Sequence, residues 1–188
     1  MLIKAISKLV YFFIHSKKEN HENMNKDNEK VIKNHVKQND PLCLKRIQEV
    51  GCFFRSCGLL AEYKTGKSLT APQINATWDW AKATKRIDEN DCMKDSASVA
   101  TRFLRILGDN GRFIEVGLFK DGEMQYYPAF KGSSLARADA LIQKVKTNGP
   151  EGTHFKVVDK LGKTIEDPHE PAIKGTGVLY SILYAYEG

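Results

Sequence analysis

The spacing of the apolar residues shifts near Gly108 from a helical to a mainly strand-like pattern, and that shift constrains the fold class more tightly than any other feature. Between residues 53 and 107 apolar side chains recur every three or four positions, as on a helix face; beyond Gly108 they alternate or run between turn residues, as in strands. Phe53, Leu59, Leu60 and Tyr63 mark one face of a helix over 53–65, with Cys52 in its first turn and Gly66 as its stop. Ser68 or Thr70 caps a second helix, with Pro72 in its first turn and Ile74, Trp78 and Ala81 on one face. Asp95 or Ser96 opens a third, with Val99, Phe103, Leu104 and Leu107 inward and Gly108 as its end. A hairpin follows, residues 113–119 and 124–130 about an Asp121-Gly122 turn, and then a helix over Leu135–Lys146. Three strands close the chain: 153–159, 164–166 after a Leu161-Gly162 turn, and 178–186. Helices first and antiparallel strands later is an α+β order.

With 188 residues, 41% of them apolar, the chain predicts a single domain with one sizeable core. The net charge is +6, but residues 1–40 hold eight Lys against five acidic residues, so the remainder carries only +3. No basic stripe is interleaved with aromatics, and nucleic acid is not an expected partner. Cys43, Cys52, Cys57 and Cys92 lack paired C-x-x-C spacing, so neither a metal nor another cofactor is expected, and a reducing, cytoplasmic compartment fits them best. Residues 2–14 are apolar with two lysines, too short a run to cross a bilayer. Two readings stay open for them: an amphipathic anchor making weak membrane contact through residues 1–15, or an appendage outside the fold, with Met24 as an alternative start. The polar stretch 16–30 reads as linker, which places the domain boundary near Asp40-Pro41 and the folded domain at 41–188.

Three residues carry candidate chemistry. Cys52 stands at a helix start, His154 on a later strand within Gly152-Thr153-His154-Phe155, and Asp167 one hairpin beyond in Glu166-Asp167-Pro168. A thiol attacks well near neutral pH only when something favours its thiolate, and a helix N-terminus with a neighbouring imidazolium does so. Cys57, followed by Gly58, is a competing nucleophile, and His169 a fallback base. Taken singly, each residue also has a purely structural reading: a small buried thiol, a core histidine, a turn aspartate. Trp78, Trp80 and the ladder of Tyr180, Tyr184 and Tyr186 read as packing.

Residues 48–74, from Gln48 through Cys52 and Gly66 to Pro72 and Ile74, resemble the opening of C39-like peptidases in the papain-like superfamily, and residues 152–168 resemble that family's GHFVVV…DP segment. The chain is also similar to a group of bacterial and prophage proteins that share a GCFF or GCYF opening and a GTHF…DP ending. The resemblance implies a papain-like fold with a nucleophile-bearing helix packed on an antiparallel sheet. It implies Cys52 as nucleophile, His154 as general base, Asp167 as the residue that orients the imidazole, and Gln48 as the oxyanion-hole side chain. The implied activity is hydrolysis or transfer of an amide bond in a peptide, a peptidoglycan stem peptide or another amide. Gln48 precedes Cys52 by only four residues, and Phe53-Phe54 stands where the family has small residues, which narrows or closes the cleft. A catalytically silent binding module on the same fold, or a membrane-surface accessory protein of phage or plasmid origin, are the alternatives. Asp167 is expected to serve the imidazole and to do little for the fold.

Overall fold

The computed structural model describes residues 35–121, 123–125, 138–150 and 152–188. The apolar segment 2–14, the linker 16–30, Met24, residues 126–130 of the hairpin and the first residues of the expected 135–146 helix lie outside that set.

Four helices precede the strands: α1 (Lys45–Val50), α2 (Cys52–Thr65), α3 (Ala71–Ala83) and α4 (Ser96–Ile106). Their ends follow local chemistry. Gly66 closes α2 in the left-handed region at φ 66°, where a residue without Cβ fits, and its N–H bonds to Glu62 O at 2.8 Å. Thr70 caps α3, with Gln73 Oε1 accepting the Thr70 N–H at 2.8 Å. Asp95 caps α4 by accepting the Ser98 N–H at 3.0 Å.

The strands β1 (Arg112–Lys120), β2 (Glu123–Gln125), β3 (Ala140–Thr147), β4 (Thr153–Val158), β5 (Thr164–Glu166) and β6 (Gly175–Glu187) form one sheet in the order β2-β1-β6-β3-β4-β5. Every pair is antiparallel, and Lys120 pairs with Glu123 across the expected two-residue turn. The chain is therefore α+β, with its helices packed on an antiparallel sheet.

One element differs from expectation in kind. Residues 140–147 form strand β3, not the end of a helix, and β3 lies inside the sheet between β6 and β4. Ala, Leu, Gln and Lys favour helix locally, but Ala140 and Ile142 fill the core shared with the helices while Leu141 fills a second cluster with Val116, Val158, Leu183 and Ala185. A strand buried on both faces shows no polar alternation, so its period is hidden in the sequence.

α2 is the centre of the packing. Residues 54–62 are buried without interruption, because α2 meets α1, α3 and α4 as well as β3 and β4. Phe54 packs edge-on to Trp78 and against Phe103. The one buried ion pair on this helix, Arg55 Nη2 to Glu62 Oε2 at 2.7 Å, has both side chains fully enclosed. Arg55 Nε also donates to Val36 O at 2.6 Å, which ties the segment before α1 to the core.

Packing begins upstream of the expected Asp40-Pro41 boundary. Gln38 is buried, its N–H bonds to Pro168 O at 2.5 Å, and Asn39 exchanges hydrogen bonds with Glu170. The compact unit that holds all the described residues is Ile32–Gly188.

Candidate active site

The α1–α2 junction sets the position of the thiol. Gly51 N–H closes α1 on Ile47 O at 2.8 Å, and Gly51 O accepts from Arg55 N at 2.8 Å to open α2. A Cβ on Gly51 would meet Ile47 O and Ile47 Cα at less than a van der Waals contact, so the two helices abut this closely only through a glycine. Cys52 is thereby the first residue of α2, half-buried, among the N–H groups that a helix start leaves without partners. Positive backbone charge at that end favours an anion there.

His154 lies at the start of β4, and β4 pairs with β5 through Val157 and Glu166. That register folds Asp167, the residue after β5, back alongside the first residues of β4. His154 Nε2 bonds to Asp167 Oδ1 at 2.9 Å, with the two side chains 3% and 6% exposed. Cys52 lies near enough to the same ring to act on it, and with Nε2 taken by Asp167, Nδ1 is the ring nitrogen left for the thiol. Burial pulls the imidazole pKa down, but the Asp167 hydrogen bond and the interactions with Asp167 and Cys52 outweigh it and raise it to about 9. The ring is held as an imidazolium at neutral pH, between the Asp167 carboxylate and Cys52.

Asp167 does more than was expected of it. Oδ1 also accepts the His169 N–H at 2.9 Å and Oδ2 the Ile173 N–H at 3.3 Å, so the carboxylate organises the turn after β5 as well as the imidazole. From the other side, Lys37 Nζ donates to Asp167 O and to Glu166 Oε1, each at 3.0 Å, while His35 Nε2 lies 3.3 Å from Glu166 Oε1. Burial raises the Glu166 pKa, yet the bonds to His35 and Lys37 prevail and bring it down to about 2. The 35–39 segment is thus a strap across the aspartate.

The structure brings Cys52, His154 and Asp167 together and gives Gln48 another bond. Gln48 Nε2 donates to Cys43 O at 2.7 Å, bracing the turn before α1, and Gln48 O accepts from Gln38 Nε2 at 3.0 Å. Cys57 is fully buried, and burial pushes its thiol well above the ordinary range, so it is not the nucleophile. The His169 ring stands beside His154, centroid to centroid 6.5 Å, with Nδ1 3.0 Å from Pro171 O.

Phe53 and Phe54 part company. Phe54 enters the core, whereas Phe53 stacks on Phe155 at 4.4 Å between centroids and 9° between planes. Phe155 in turn meets Tyr180 edge-on at 6.2 Å. Burial raises the Tyr180 pKa, and the Cys52 charge adds to that rise. The stacking of Phe53 on Phe155 and the Lys37 strap are features of the site that sequence reasoning missed. No local signal marks them, because they depend on which strands pair.

Among the described residues no group of three or more His, Cys, Asp and Glu side chains is placed to hold a metal ion, and no helix is long and apolar enough to cross a membrane. Compared with protein-family models, curated proteins and solved structures, the chain matches none.

Proposed function

We propose that the chain is a papain-like thiol hydrolase or acyl transferase that cleaves an amide bond through a Cys52 thioester. The observation that carries this reading is the buried bond between Asp167 Oδ1 and His154 Nε2 at 2.9 Å, with Cys52, at a helix N-terminus, near enough to the same ring to act on it. The attacking species is the Cys52 thiolate, its proton held on the His154 imidazolium, and the sulfur attacks the acyl carbon. The Cys52 N–H, at the start of α2, receives the developing oxyanion in this reading. The C–N bond breaks as the imidazolium returns its proton to the leaving amine, giving the thioester. Water, or a second amine, then loses a proton to His154 as it attacks, and the C–S bond breaks to regenerate the thiolate. Asp167 holds the ring with Nδ1 towards sulfur throughout.

The test is site-resolved alkylation. Iodoacetamide at about pH 6 is expected to label Cys52 at least tenfold faster than the exposed Cys92, with Cys57 unlabelled in the folded chain and the Cys52 rate lost in His154→Ala. Cys52 reacting no faster than Cys92 would sink the nucleophile assignment.

A further inference from the structure

Lys144 lies in β3 opposite Phe155 of β4 on one side and Tyr180 of β6 on the other. Its side chain leans over both rings, with Nζ 5.2 Å from the Phe155 centroid and 5.6 Å from that of Tyr180. These rings belong to the wall beside Cys52: Phe155 follows His154 in the chain and stacks on Phe53, the residue after Cys52, and Tyr180 meets Phe155 edge-on at 6.2 Å. Lys144 is half-buried, and among the described residues its ammonium has neither a carboxylate partner nor a hydrogen-bond acceptor.

A half-buried cation over two aromatic faces retains donors that the rings do not use. Lysines at comparable depth in this chain are paired: Lys37 with Glu166 and Lys82 with Asp91. From this contrast, and on the reading that the Cys52 cleft takes an amide substrate, we infer that Phe53, Phe155, Tyr180 and Lys144 form a specificity subsite for a peptide carrying a carboxylate next to an apolar or aromatic group, close to the scissile bond. The rings take the apolar part, and the Lys144 ammonium takes the carboxylate. Partial burial weakens the competition from water, so the pair discriminates more strongly than a surface ion pair does.

The test is a binding titration that needs no reactive thiol. N-acetyl-Phe-Glu-amide and its neutral counterpart N-acetyl-Phe-Gln-amide are titrated into the full-length Cys52→Ser chain and followed by amide chemical shifts. The Glu peptide is expected to bind about tenfold more tightly, with shifts centred on Lys144, Phe155 and Tyr180. Adding Lys144→Met should abolish the difference, and Lys144→Arg should restore it. Equal or undetectable binding of the two peptides, or a charge preference that survives Lys144→Met, would overturn the subsite. Iodoacetamide labelling of the wild-type thiol, measured separately, reports on the catalytic reading, so failure of one is distinguishable from failure of the other.

Discussion

Replacing Asp167 removes one carboxylate from three donors at once: the His154 ring at 2.9 Å, the His169 N–H at 2.9 Å and the Ile173 N–H at 3.3 Å. A buried donor left unpaired costs about 1–3 kcal/mol. His154 bears that cost in full because its side chain is 3% exposed, whereas the segment after Asp167 opens to solvent and water can serve the two backbone groups. Asp167→Ala is therefore expected to destabilise the fold by about 2–4 kcal/mol, a fall in Tm of about 5–15 °C for a domain of this size. It also removes the largest contribution that raises the His154 pKa, so Cys52 alkylation at about pH 6 should fall at least tenfold. Asp167→Asn keeps an acceptor for the ring and for His169 but turns a donor towards Ile173. It should lose less than half as much stability and retain most of the alkylation rate. Differential scanning calorimetry and mass-mapped alkylation on the same samples separate the two effects. If Asp167→Ala melts like the wild type and both variants alkylate at the wild-type rate, the carboxylate neither orients His154 nor holds the turn, and the triad is wrong.

Two further predictions follow from the ionisable groups. The His154 pKa is raised from 6.5 to about 9, so the protonated ring favours the folded state; that contribution is complete below pH 6.5 and is lost as pH rises through 9. Its size is roughly 3 kcal/mol, and the decline in unfolding free energy across that window should vanish in His154→Gln; persistence of the slope would assign it elsewhere. The second concerns Glu62, whose carboxylate meets Arg55 Nη2 at 2.7 Å and the Leu69 N–H at 2.7 Å with no solvent access. Glu62→Gln leaves the Arg55 charge buried without a counter-ion and should cost about 3–5 kcal/mol in urea unfolding, while pairing Glu62→Leu with Arg55→Met recovers most of it. Equal losses in the single and double variants would show that the charge is not the cause.

Much of this architecture is written within four residues of each position. The α2 start at Cys52, its stop at Gly66, the Gln73 bond to Thr70, the Asp95 cap and the turn between β1 and β2 all rest on backbone sterics and short-range side-chain bonds, and these the sequence by itself determined. Cys52, His154 and Asp167 were legible as reactive types in a telling order, but only the β4–β5 pairing and the Gly51 junction bring them into one line. Tertiary structure alone decided that residues 140–147 become an inner strand against their helical propensity, since pairing on both edges and burial on both faces outweigh a preference of tenths of a kcal/mol per residue. It alone gave the Gln48 amide to Cys43 O, enclosed Cys57, laid the 35–39 strap over Asp167, and set Lys144 between Phe155 and Tyr180. Each of those outcomes depends on which distant segments meet, and residues more than a hundred positions apart, such as Lys37 and Asp167, leave no mark on each other's local sequence.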